Sequence, residues 1–180
     1  MRVIAGKYRG KKLKEFSLSS TKPTLDRVKE SLFSSIQFDV IGASVLDLFA
    51  GTGALGIESL SRGAQSVEFV DSSSDAVKII NDNLRGIDGR FKVSKSDYLT
   101  YLKNVLSQGE KYDIVLLDPP FNTDFGINAI KFIIENNMLS DNGIIMYEKL
   151  YEPNFNIAFD GYDVKQKKYG TVAIVKISRL

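Results

Sequence analysis

The chain has 180 residues and a formal charge of only +2, a length that suits one domain with a sizeable core. It contains no cysteine and no histidine, which excludes disulfides, thiolate nucleophiles, cysteine–zinc sites, Ser-His-Asp chemistry and most zinc hydrolases. Any chemistry must then run on carboxylates, hydroxyls, backbone groups and a bound cofactor.

In chain order, the first feature is basic. Residues 1–14 carry Arg2, Lys7, Arg9, Lys11, Lys12 and Lys14 and no acid, so this segment is +6 and the remainder −4. Such an arm fits a polyanion contact made by one end, and equally an edge hairpin protected by lysines. Its charged start, and the absence of any apolar run long enough for a bilayer, predict a soluble cytoplasmic protein with no membrane partner. Residues 2–16 read as a hairpin turning at Gly6 and Gly10. A polar stretch, Ser17 to Lys22, leads to Pro23 and to Thr24 as the expected N-cap. Leu25, Val28, Leu32 and Ile36 then fall at helical spacing.

Beyond this the pattern alternates. Strands are expected near 44–48, 66–71, 91–94, 112–117 and 143–147, and helices near 54–62, 73–85, 97–106 and 126–137. Alternation with short loops predicts an α/β fold with a doubly wound, mostly parallel sheet. Tyr162–Lys168 and Thr171–Ile177, separated by Tyr169-Gly170, predict a terminal antiparallel hairpin. The expected units are an N-terminal hairpin and helix over residues 1–40 and a cofactor-binding domain over 41–180.

The first strand, Val45-Leu46-Asp47-Leu48-Phe49, runs into Ala50-Gly51-Thr52-Gly53-Ala54-Leu55-Gly56 and a helix. This is G-x-G-x-x-G in the context of a nucleotide site, where glycines bring a ligand against backbone N–H groups at a helix N-terminus. Asp71 ends the second strand, where it can take ribose hydroxyls. The loop alone does not separate a nicotinamide dinucleotide from S-adenosylmethionine (AdoMet). Two acids favour AdoMet. Asp47 would repel a pyrophosphate but meet a methionine amino group, and Asp97 can accept from an adenine amine that the Tyr98 ring covers. Metal binding is the competing reading of these acids. It is weakened because they belong to adjacent strands rather than to one octahedral shell, so no metal is expected.

The apolar run Ile114-Val115-Leu116-Leu117 ends at Asp118-Pro119-Pro120-Phe121. Two prolines must end a buried strand, and the residue before each is forced into an extended conformation. The result is a stiff bend carrying one carboxylate, free carbonyl acceptors and one aromatic ring. That set can grip a flat base by its face and its exocyclic amine by its hydrogens. The plain alternative is a strand-ending loop with a packed Phe.

Together, "VLDLFAGTGALGIESLSRGA" and "DPPF" resemble class I AdoMet-dependent methyltransferases acting on exocyclic amines. "RVIAGKYRGKKL", "TKPTLDRVKESLF" and the closing "KKYGTVAIVKI" narrow the resemblance to the RsmD family, bacterial small-subunit ribosomal RNA guanine-N2 methyltransferases. It covers nearly the whole chain; Ala5-Gly6, where the family more often has two glycines, is a mild departure. The resemblance implies a Rossmann-like seven-stranded sheet and AdoMet as cofactor. Gly51 and Gly53, with Asp47, Phe49 and Thr52 around them, would cradle the methionine part. Asp71 would hold the ribose, and Asp97 with Tyr98 the adenine. Asp118, Pro119, Pro120 and Phe121 would receive the target guanine. Arg2, Lys7, Arg9, Lys11, Lys12, Arg27 and Lys29 would face RNA. The implied target is guanosine 966 of 16S rRNA in an assembled or assembling small subunit.

The alternatives are adenine-N6 methylation of DNA or RNA on the same fold, a nicotinamide oxidoreductase and a silent RNA-binding module. A sequence-specific DNA enzyme is expected to carry a target-recognition domain for which 180 residues leave no room. The oxidoreductase leaves "DPPF" unexplained, and the silent module leaves the strand-end carboxylates unexplained.

Overall fold

The computed structural model describes residues 1–16 and 23–180, with side chains of the first helix from Asp26 onward. Its strands are β1 (Ser44–Leu48), β2 (Ser66–Asp71), β3 (Arg90–Lys95), β4 (Tyr112–Leu117), β5 (Leu139–Leu150), β6 (Tyr162–Tyr169) and β7 (Val172–Arg179). They form one sheet in the order β3-β2-β1-β4-β5-β7-β6. The first five run parallel, and β7 pairs antiparallel with both β5 and β6. Strands β1 and β4 are buried on both faces, which is why they read as nearly continuous apolar runs.

The helices are α1 (Pro23–Ser34), α2 (Ala54–Ser61), α3 (Ser74–Asn83), α4 (Tyr98–Gln108) and α5 (Phe125–Glu135). Two apolar layers sandwich the sheet. One packs Val28, Leu32 and Phe33 of α1, Ile57 of α2 and Ile80 of α3 against Val45, Phe69, Ile114 and Leu116. The other packs Leu102 of α4 and Ile130 of α5 against Leu46, Leu48, Val115 and Leu117. Strand residues alternate between these layers with the period of two that a pleated strand imposes. Among the described residues, no helix is long and apolar enough to cross a membrane.

Three expectations need correction. The N-terminal hairpin is short: one antiparallel bridge joins Arg2 to Lys12, with the Val3 and Leu13 N–H groups donating to the Lys11 and Met1 carbonyls, and among the described residues no strand extends from it. Its turns do fall at Gly6 and Gly10, both at positive φ. The intervening amides go to α2 instead of across a ladder: Ile4 and Ala5 donate to the Glu58 carboxylate at 2.8 and 3.0 Å, and Lys7 donates to the Ser61 carbonyl at 2.8 Å. Gly6 lies so close to this helix that a Cβ there would sit 1.8 Å from the Ser61 carbonyl oxygen. Second, α1 starts at Pro23, so Thr24 is inside the helix and not its N-cap; proline suits a first helical position because its missing N–H would have no partner there. The side chains of Thr24 and Leu25 and the segment 17–22 lie outside the described residues. Third, β5 begins four residues earlier than expected, and its register against β4 shifts between Tyr112 and Ile114.

Candidate active site

The carboxyl ends of β1, β2, β4 and β5 and the start of α4 enclose a cleft of about 860 Å³. This is where an open α/β sheet binds ligands, because the strand order reverses between β1 and β4. The volume lies within the range of small-molecule and cofactor sites.

The cofactor end is built on the turn after β1. Phe49 takes a left-handed φ of 73°, unusual for a bulky residue, and Gly51 follows at 55°. The turn is held by Phe49 and Ala50, whose N–H groups both donate to the Val70 carbonyl. Asp71, at the end of β2, accepts from the Gly51 N–H at 2.8 Å and from the Ser73 N–H at 2.8 Å. Both oxygens are thereby aimed while the carboxylate still lines the cleft. Asp97 caps α4 by accepting from the Thr100 N–H at 2.9 Å. Hydrogen bonds from Thr100, side chain and then backbone, hold its carboxyl below the ordinary range. Phe49, Tyr98 and Phe125 cluster beside it, with Tyr98 5.3 Å from each of the other two rings. These acids and rings place carboxylate acceptors beside an apolar slot, a set that fits the hydroxyls, amine and flat ring of AdoMet.

The reacting end is Asp118 to Phe121. Asp118 is open to the cleft, yet its open surface is the inside of a concave wall. Desolvation by that wall pushes its carboxyl above the ordinary range. Phe121 is 43% exposed, its ring unclaimed by the core. The bend is fixed by Thr123, whose hydroxyl donates to the Pro120 carbonyl at 2.8 Å, and by Asn122 at a φ of 64°.

The structure brings Phe49, Gly51, Asp71, Asp97, Tyr98, Asp118, Pro119, Pro120 and Phe121 to one cavity. It does not bring Asp47, Thr52 or Gly53 to its wall. Asp47 is 1% exposed and accepts from the Gly56 N–H at 2.8 Å. It shares the Val45 side of β1, under α2, and burial pushes its carboxyl up to about 7 against the opposing pull of Gly56. The third glycine, Gly56, serves packing: a Cβ there would lie 2.2 Å from the Phe69 ring. Lys29 is also not where an RNA contact would need it. It is 4% exposed, pairs with the fully buried Glu58 at 3.2 Å and donates to the Arg2 carbonyl. Burial lowers its pKa, opposed by the Glu58 charge.

The remaining basic residues stay outside. Arg9, Lys12 and Arg27 are exposed; Lys7 pairs with Asp88 at 2.9 Å, and Lys11 donates to the Arg85 carbonyl. Arg2, Arg9 and Arg27 surround a hollow of about 390 Å³ that also holds Asp26 and Glu30. Sequence reasoning missed Phe16, Ser72, Ser96, Phe125 and Glu148 on the cleft wall. Of these only Glu148 had a usable signal, an acid at the carboxyl end of a strand.

Fold and cleft together define a class I methyltransferase. The protein-family model described as Conserved hypothetical protein 95 matches residues 1–177. Ribosomal RNA small subunit methyltransferase D of Haemophilus influenzae is 36% identical over 151 residues, covering 82% of this chain and 78% of that protein. The protein of the same name from Escherichia coli K12 is 33% identical over 153 residues, covering 84% and 76%. A solved structure of an Escherichia coli protein assigned as a methyltransferase superposes with a TM-score of 0.86 at 29% identity, covering 99% of this chain and 97% of that one. The chain belongs to the RsmD family.

Proposed function

We propose that this protein methylates the exocyclic N2 amine of a guanine in 16S rRNA, guanosine 966 in the conventional numbering, presented by an assembled or assembling small subunit. The coarser activity follows from family membership: the chain is an AdoMet-dependent rRNA methyltransferase. One observation carries the finer reading. A single cleft has the carboxylates Asp71 and Asp97 with three aromatic rings at one end and Asp118 to Phe121 at the other.

When bound, AdoMet supplies an activated methyl group on a sulfonium, so the protein needs no covalent intermediate. Asp71 would bind its ribose hydroxyls, and Asp97 would accept from its adenine amine. A guanine amine is a poor nucleophile because its lone pair is delocalised into the ring. The Asp118 carboxylate and the Pro119 carbonyl would accept its hydrogens and so orient the lone pair for methyl transfer, one amine proton then leaving to Asp118 or to water. The N–H donors also offset the desolvation that raises the Asp118 carboxyl. Phe121 stacks on the splayed base, a contact worth ~1–3 kcal/mol in single-strand binders. Alignment is then the protein's main contribution, at best roughly 7–11 kcal/mol. Residues 1–40 form the RNA-facing extension, with Arg2, Arg9, Lys12 and Arg27 as its phosphate contacts.

Nucleoside mass spectrometry of 16S rRNA from cells with and without this gene tests the reading. One N2-methylguanosine should disappear on deletion and return when purified protein and AdoMet are added to the unmethylated subunits. Loss of N6-methyladenosine instead would assign the other exocyclic amine.

A further inference from the structure

Glu148 has no part in the roles assigned so far. It is 8% exposed, and among the described residues no donor hydrogen-bonds its carboxylate. Burying an acid without a donor is costly, so fold stability does not explain it. The neighbouring Lys149 is engaged elsewhere, paired with Glu152 at 2.8 Å and lying 4.0 Å from the Phe155 ring centroid.

Its position is specific. Leu117 of β4 is in register with Tyr147 of β5, so Asp118 and Glu148 are the next residues on adjacent parallel strands. Such strands lie about 4.8 Å apart, a spacing that sets two carboxyls side by side. Glu148 lines the cleft with Asp118, and it also lines a hollow of about 310 Å³ formed with Pro119 to Asp124 and Tyr147. It thus stands in the wall between the cofactor cleft and the space beside Phe121.

We propose that Glu148 selects guanine over adenine by accepting the N1–H of the target base while Asp118 accepts the N2 hydrogens. The inference rests on the guanine-N2 reading above. Guanine carries two adjacent donor groups on this edge, N1–H and N2–H₂, and the strand register offers two adjacent carboxyls. Adenine sets an acceptor, N1, beside its amine, so one carboxylate would face a lone pair. Burial and the charge on Asp118 push the Glu148 carboxyl above the ordinary range, and an N1–H donor from guanine opposes that shift by favouring the ionised, accepting form. A site built to hydrogen-bond one edge rejects an analogue that cannot complete the bond.

The test uses small subunits reconstituted with either guanosine or 2,6-diaminopurine riboside at the target position. Diaminopurine keeps the N2 amine but replaces the N1–H donor with an acceptor. The single-turnover rate on guanosine should exceed that on diaminopurine by about tenfold or more with the natural protein. In Glu148→Gln, whose amide can either accept or donate, the ratio should fall to within about twofold. Glu148→Ala, which makes neither contact, should lose the preference as well and serves as the second variant if Gln fails to fold. S-adenosylhomocysteine binding by calorimetry reports whether each variant retains its cofactor site. A preference that persists in the folded variants, with both rates scaled equally, overturns the assignment. Failure of the natural protein to methylate the guanosine substrate at N2 refutes the underlying function instead, before any variant is compared.

Discussion

Asp118 and Phe121 sit three residues apart on one rigid bend, and they fail differently when removed. Asp118→Ala should leave AdoMet affinity nearly intact yet slow single-turnover methyl transfer by orders of magnitude. Asp118→Asn keeps an accepting oxygen and should retain more activity than Ala. Phe121→Tyr keeps the ring face and should be tolerated, whereas Phe121→Ala should fail through poor base capture, read as a raised KM at a less affected kcat. Equal rates for Asp118→Ala and the natural protein on unmethylated subunits would reduce the bend to a strand end. Asp71, Asp97 and Asp118 were legible in the sequence because a nucleotide fold binds at strand ends and these acids mark them. Asp47 stands one residue of pleat away from the cleft wall: it lies with Val45 beneath α2, where it accepts from the Gly56 N–H. Glu148 obeys the same strand-end rule but was hidden by an apolar run read as closing at Tyr147. Lys29 looked like a surface cation because its partner, Glu58, is 29 positions away and only the fold brings them together.

At the level of elements, α2 carries more than its short length suggests. Glu58 is fully buried on it and holds Lys29 of α1, Arg62 at 2.8 Å and the amides of Ile4 and Ala5. Glu58→Ala leaves two cations and two amides without their partner, so chemical denaturation should show a loss of ~3–5 kcal/mol. Gly56→Ala on the same helix gains propensity of about 1 kcal/mol but drives a methyl into the Phe69 ring, with overpacking of ~1–3 kcal/mol. It should destabilise on balance, and trimming Phe69 to Leu in the same chain should recover part of the loss. The order of strands and helices could be read from periodicity alone. What periodicity could not give was the insertion of β7 between β5 and β6, since hydrophobic spacing does not encode which neighbour a strand chooses.

For the whole molecule, buried acids set the dependence of stability on pH. The Asp47 carboxyl titrates near 7 in the folded protein and in the ordinary carboxylate range when unfolded. Between those values the folded state keeps a proton that the unfolded chain has lost. Its contribution is therefore full below about pH 4, declines as pH rises toward 7 and is flat above. Denaturation from pH 5 to pH 8 should show falling stability. Asp47→Asn, which still accepts from Gly56, should flatten that fall by at most about 3 kcal/mol. Charge acts at the same scale on RNA. Reversing Arg9, Lys12 and Arg27 should lower affinity for unmethylated subunits and flatten its salt dependence, by about 0.7 in logarithmic slope for each single-strand phosphate that is no longer neutralised. AdoMet binding should be unaffected, and an unchanged slope would return the arm to a solubilising edge.

The Lys29–Glu58–Arg62 cluster also has a kinetic consequence. The amides of Ile4 and Ala5 lie in a loop without strands, yet they are released only when Glu58 lets go, so their hydrogen exchange should track that of α2 and not that of a loop. An arm ordered in this way has already lost its conformational freedom during folding. If this arm meets RNA as proposed, encounter should then proceed at a rate set by diffusion and electrostatic steering, since the amides of Ile4 and Ala5 are already ordered.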